Sequence, residues 1–160
     1  MSDNINKPDH YQSNGMKYIQ PECIHITRYL SFNLGNAFKY IWRAGMKGDK
    51  CKEIEDLFKA LWYVNDFVKS FSETTNDNII ASQIFSMIQF ENNPIEKIRH
   101  EALNNIIHFN SKKARAEIKN LISNFLWRDF QNATSEEIDK IKKLAKDEEL
   151  PEFVKNFGRI

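Results

Sequence analysis

The stretch CKEIEDLFKALWYVNDFVKSF, residues 51–71, places Ile54, Leu57, Phe58, Leu61, Val64, Phe67, Val68 and Phe71 three and four positions apart. That spacing lays the apolar side chains along one face of an α-helix, whereas a half-buried strand would alternate every second residue. The run predicts a helix from Cys51 to about Phe71, long enough to anchor a helical domain.

Working toward the amino terminus, MKGDK is a polar turn, and the segment Asn36 to Ala44 reads as a short helix. Asn36 is its expected cap and Gly45 its expected stop, with Gly35-Asn36 breaking the chain. Before that break, Pro21 suits the first turn of a helix through about Phe32, and residues 1–20 read as an irregular lead. In the other direction SETTNDN, residues 72–78, is a polar linker. Helical periods then recur from Ile79 to Phe90, Pro94 to Phe109, Ser111 to about Phe130 and Ser135 to Ala145. Asn93-Pro94, Asn110-Ser111 and Thr134-Ser135-Glu136-Glu137 supply start signals. The tail LPEFVKNFGRI reads as a docked or partner-seeking end. The expectation is an all-α protein of two helical modules, residues 1–75 and 76–160.

Composition agrees. The chain has 160 residues with five glycines and four prolines, too few breakers for a β-rich fold. Hydrophobic residues make up 41%, enough for a core and too many for disorder. Lysine and arginine total 23 against 22 aspartates and glutamates, so the wide basic field of a nonspecific nucleic-acid binder is missing. Residues 76–160 balance 13 basic against 13 acidic residues, while all five tyrosines lie before residue 76. Chemistry is therefore expected in the first half. Cys23 and Cys51 form neither a disulfide framework nor a zinc spacing, which fits a reducing cytosol. The first twelve residues lack the apolar run of a signal peptide, and no window approaches the roughly 18 apolar residues of a membrane span. The expected location is the cytoplasm, without membrane partners.

Three segments carry candidate chemistry. In LGNAFKYIWRAGMKGD, residues 34–49, Lys39 and Arg43 share a helical face and Lys47 follows the glycine stop. Three cations beside a glycine-broken helix start suit a phosphate, with Asn36 at the start; the bland alternative is a solvated basic face. In EIEDLFKALWYV, residues 53–64, Asp56, Lys59 and Tyr63 form one stripe and Glu55, Lys59 and Trp62 the next. Glu55 or Asp56 could hold a phosphate-bound metal, Lys59 could neutralise phosphate, and Trp62 or Tyr63 could stack on a base. The alternative is an intrahelical Glu55/Lys59 pair beside core aromatics. In KPDHYQ, residues 7–12, the extended backbone before proline presents His10 as a donor or acid and Tyr11 as a stacking partner, or else as simple packing groups. His25, His100 and His108 have no partner at ligand spacing.

No GxxxxGK[ST], GxGxxG or HExxH motif occurs, which excludes an ordinary P-loop kinase. A MazG-like nucleoside triphosphate pyrophosphohydrolase would need paired ExxE and ExxD motifs; Glu53 to Asp56 supplies the second, but no ExxE stands upstream near Glu22.

Taken in order, Pro8-x-His10-Tyr11, then Leu34 to Lys47, then Asp56 to Tyr63 resemble a phage and prophage family labelled SaV-like, phage nucleotide kinase or domain of unknown function. The resemblance covers residues 6 to about 70. It implies a nucleotide protein that transfers a phosphoryl group from ATP, with Mg2+, to a (deoxy)nucleoside monophosphate. His10, Tyr11, Asn36, Lys39, Arg43, Lys47, Asp56, Lys59 and Trp62 would form one pocket, completed across a homo-oligomer interface. In that role Lys39, Arg43 and Lys47 stabilise phosphoryl charge, and Asp56 positions metal or acceptor. A non-catalytic binder that sequesters a nucleotide or defence signal, and a pure interaction module, are the competing classes.

Overall fold

The computed structural model describes residues 21–46, 48–70, 78–145 and 148. Among them the chain is all-α: α1 (Cys23–Thr27), α2 (Phe32–Arg43), α3 (Lys50–Lys69), α4 (Asn78–Ser86), α5 (Pro94–Ile107), α6 (Ser111–Asp129) and α7 (Ser135–Ala145). None of these helices is long and apolar enough to cross a membrane.

Four of the helices, α3, α5, α6 and α7, begin where a short polar side chain accepts from free backbone N–H groups. Asp49 caps α3, accepting from Cys51 N at 2.8 Å and Lys52 N at 3.0 Å. Asn93 caps α5 through Glu96 N at 2.9 Å, with Pro94 at the first helical position. Asn110 caps α6 through Lys113 N at 3.2 Å. At α7, Thr134 Oγ1 accepts from Glu137 N while the Glu137 carboxylate accepts from Thr134 N, a reciprocal box.

The expected break at Gly35-Asn36 is absent. α2 runs straight through both residues from its cap at Ser31, and the helix expected from Pro21 to Phe32 is only the short α1. Gly35 serves packing instead: a Cβ there would lie 3.2 Å from the Thr27 carbonyl oxygen, so its missing side chain lets α1 approach α2. Asn36, expected as a cap, bonds backward along its own helix, its Nδ2 donating to Phe32 O at 2.8 Å. His25, without a role in the sequence reading, accepts from Glu22 N at 3.1 Å and closes the start of α1.

The glycine stop is where the spacing put it. Gly45 follows the end of α2 with φ of +85°, in the left-handed region, and a Cβ there would meet Glu53 Oε1 at 3.1 Å. Gly45→Ala is expected to cost about 1–2 kcal/mol, from the left-handed backbone alone. A urea melt within a few tenths of a kcal/mol of wild type would contradict this.

The inner faces meet in one buried cluster. α3 packs against α2 on one side and α6 on the other, α5 pairs with α6 and touches α2, and α7 closes on α3. Phe38, Ile41, Ile54, Leu57 and Leu61 from α2 and α3 share that cluster with Leu103, Ile106, Leu121, Phe125 and Phe130. Residues 71–77, which hold most of the expected linker, lie outside the described residues; helices from both sides of them contribute to this core. One polar tie crosses it. Arg99 of α5, 5% exposed, donates from Nη1 to Ile41 O at 2.6 Å and from Nε to Glu96 at 3.0 Å. It thereby answers a carbonyl that the last turn of α2 leaves without a helical partner.

Candidate functional site

α2 and α3 lie side by side, and the candidate residues on their facing edges converge on the Tyr40 ring. Lys39 Nζ lies 4.8 Å from its centroid, Arg43 Cζ 4.6 Å and Lys59 Nζ 5.7 Å. All three are within the range at which a cation is drawn to an aromatic face. Tyr63 stacks on Tyr40 at 5.8 Å, and Trp62 and Phe32 meet Tyr63 edge-on at 5.0 and 6.1 Å. Trp62 and Phe32 are 59% and 77% exposed, so the aromatic group continues out to solvent.

The carboxylates are arranged unequally. Asp56, 5% exposed, accepts from Arg43 Nε at 2.8 Å and Nη2 at 2.7 Å, a two-pronged pair using both of its oxygens. Glu55 accepts from Lys59 at 2.6 Å and Lys52 at 3.0 Å, and these hydrogen bonds pull its carboxyl down to about 2. The Glu55/Lys59 pair is thus the intrahelical one that the spacing allowed. Lys39 differs from the other cations, since its ammonium is bonded to a neutral group, Asn36 Oδ1 at 2.7 Å. Burial, followed by the Arg43 charge, holds Lys39 below the ordinary lysine value of 10.5. Beneath α2, burial pushes the Cys23 thiol up to about 12 against the pull of Lys39 and Arg43, so it stays protonated and inert.

Lys39, Arg43, Asp56, Lys59, Glu55, Tyr63, Trp62 and Asn36 are therefore gathered on one two-helix surface. His10, Tyr11 and Lys47 lie outside the described residues. Tyr40, around which the cations assemble, was missed as a candidate; its place one residue after Lys39 and three before Arg43 was the available signal. As for a metal, no group of three His, Cys, Asp or Glu side chains able to hold one occurs among the described residues. Mg2+ commonly needs only one or two carboxylates, with substrate phosphates and water completing its shell. Both carboxylates have both oxygens bonded, but Glu55 is the more available of the two, because its partners are partly exposed lysines while Asp56 is held by Arg43 in a buried pair.

No curated protein and no solved structure matches this chain. Residues 5–65, which include α1, α2 and most of α3, match the model of a family described as a protein of unknown function, DUF3310.

Proposed function

We propose that the α2–α3 surface binds the phosphates of a nucleotide, and that the chain transfers a phosphoryl group from ATP to a (deoxy)nucleoside monophosphate. The observation that supports this most is Lys39, a partly buried ammonium beside Arg43 and Lys59 whose hydrogen-bond partner is neutral. A phosphate oxygen would supply the counter-charge that the protein withholds. Tyr40 and Tyr63 back the cations, and exposed Trp62 offers a stacking face for a base. Phosphoryl transfer asks mainly for positioning and charge stabilisation, which Lys39, Arg43 and Lys59 provide in this reading. Mg2+, carried on the phosphates with Glu55 as its protein ligand, would neutralise further charge. The remainder of the reading is a phage-derived protein acting in the bacterial cytoplasm as a homo-oligomer, joined through the exposed aromatics near Phe32.

A second reading, sequestration without turnover, is favoured by one observation: Asp56, the carboxylate expected to position metal or acceptor, is closed off by Arg43. Pyrophosphohydrolase activity is the third; it would release pyrophosphate from a triphosphate without an acceptor.

Incubation of the full chain with mixed nucleotides, ATP and Mg2+, followed by chromatography of the products, separates the three. Lys39→Ala is expected to weaken nucleotide binding by at least about 1.5 kcal/mol, the low end for a hydrogen bond to a charged group. Unchanged affinity by calorimetry, with the helical signal intact, would remove the phosphate reading. Because Lys39 must be protonated to act, wild-type affinity is expected to decline as pH rises toward its lowered pKa, below 10.5. The Lys39→Ala chain should lose that part of the decline.

A further inference from the structure

The chain just past α2, the start of α5 and the last turns of α6 border an open cavity of about 640 Å³, within the roughly 300–1,000 Å³ of small-molecule sites. Two charged side chains that line it each have a polar atom left over. Arg99, 5% exposed, gives Nε to Glu96 and Nη1 to Ile41 O, but its Nη2 has no hydrogen-bond partner among the described residues. Glu53 accepts from Arg128 through Oε2 at 2.8 Å, and its Oε1 is likewise unpaired among them. Burial holds Glu53 above the ordinary glutamate value of 4.5 in spite of Arg128, as befits a carboxylate short of donors. Gly45 brings the two atoms to one place: a Cβ on it would lie 3.1 Å from Glu53 Oε1 and 3.7 Å from Arg99 Nη2, so its missing side chain leaves open the space between them. Polar groups this sheltered almost always find partners, so a donor and an acceptor left over beside one cavity point to groups supplied from outside.

An anion in that space would meet the Glu53 oxygen, and a cation would meet the Arg99 guanidinium. The complement to both is a neutral group that carries an acceptor and a donor side by side, which is an amide. Met46, Ile95, Phe125 and Trp127 add apolar surface to the same cavity. We propose that it binds a small aromatic carboxamide, whose carbonyl oxygen accepts from Arg99 Nη2, whose N–H donates to Glu53 Oε1, and whose ring rests against the Trp127 side of the cavity. The Tyr40 cations take no part, so this site stands or falls independently of the phosphate reading of that cluster.

The test is titration of the full chain with benzamide, followed by proton–nitrogen NMR spectra of the backbone and indole N–H groups, with benzoate, benzylamine and acetamide as controls. Benzamide is expected to shift the Gly45 amide and the Trp127 indole, and to bind about tenfold tighter than benzoate or benzylamine, the scale of one hydrogen bond to a charged group. Acetamide, which lacks the ring, should bind more weakly still. Gly45→Ala puts a methyl group into the space and should abolish binding. Glu53→Gln guards against a folding defect in that variant: its amide oxygen stays with Arg128, its NH2 group replaces Oε1, and the preference should turn from benzamide to benzoate. Lys39→Ala should bind benzamide as tightly as wild type; a loss there would put the probe on the Tyr40 surface and overturn the proposal. No benzamide binding, benzoate, benzylamine or acetamide binding as tightly as benzamide, or an unchanged preference in a folded Glu53→Gln chain would each overturn it too.

Discussion

Asp56→Ala is expected to destabilise the protein by about 3 kcal/mol, the low end for removing one partner of a buried ion pair. The low end applies because the Arg43 side chain keeps 16% of its exposure and regains some water when Asp56 is lost. What remains is a guanidinium between α2 and α3 that has lost both carboxylate oxygens of its buried pair. Glu55→Gln is the internal control: its lysine partners are 43% and 54% exposed, and pairs of that kind contribute at most about 1 kcal/mol. Glu55 makes two such pairs, so urea denaturation of the two variants should separate by at least about 1 kcal/mol. Equal losses would mean that the Arg43–Asp56 pair is no more structural than its exposed neighbour. The comparison also governs how activity data are read. A loss of turnover in Asp56→Asn would act through the aim of Arg43, because Asp56 spends both oxygens holding that side chain.

Arg99→Ala should have a comparable or larger effect, about 3–5 kcal/mol. Truncation removes the donor to Ile41 O, strands Glu96, and strips the Phe125 ring of a cation 5.9 Å away. The orphaned Ile41 carbonyl would sit in the last turn of α2, inside the core. Arg43 closes that same turn, so the damage reaches the Tyr40 surface without touching it. The melting temperature is expected to drop, and with it the nucleotide affinity proposed for the Tyr40 surface; Arg99→Lys should rescue little because an ammonium cannot span Ile41 and Glu96 with a fixed fork. A variant as stable as wild type would show that α5 is not fastened to α2 through this residue.

The helices themselves were readable because their signals are local. Apolar spacing and short polar caps located α3, α5, α6 and α7, the last with the same bounds, Ser135–Ala145. The misreading at Gly35-Asn36 came from treating glycine as a breaker; here it permits close packing, a fact that depends on Thr27 of another helix. The site was half legible. Spacing brought Lys39 near Arg43 and Glu55 near Lys59, but it could not show that Arg43 and Asp56, thirteen residues apart on different helices, would bind one another. Arg99 escaped notice because an arginine on an amphipathic helix is ordinarily assigned to solvent. For Arg99 a clue was present: Ile95, Arg99, Ala102 and Ile106 follow the four-three-four rhythm of the apolar face. Asp56 follows the same rhythm with Ala60, Tyr63 and Phe67.

The shared core also sets a timetable for synthesis. α3 is finished at Lys69, but its partner α6 is complete only at Asp129, about 60 residues later. At roughly 5–20 residues per second, a ribosome needs about 3–12 s to cover that distance. During this interval α3 belongs to a nascent chain in which α2 is made but α6, its other packing partner, is not. The segment that matches the family precedes α5, α6 and α7 in the chain, so it is made before the helices that complete its core.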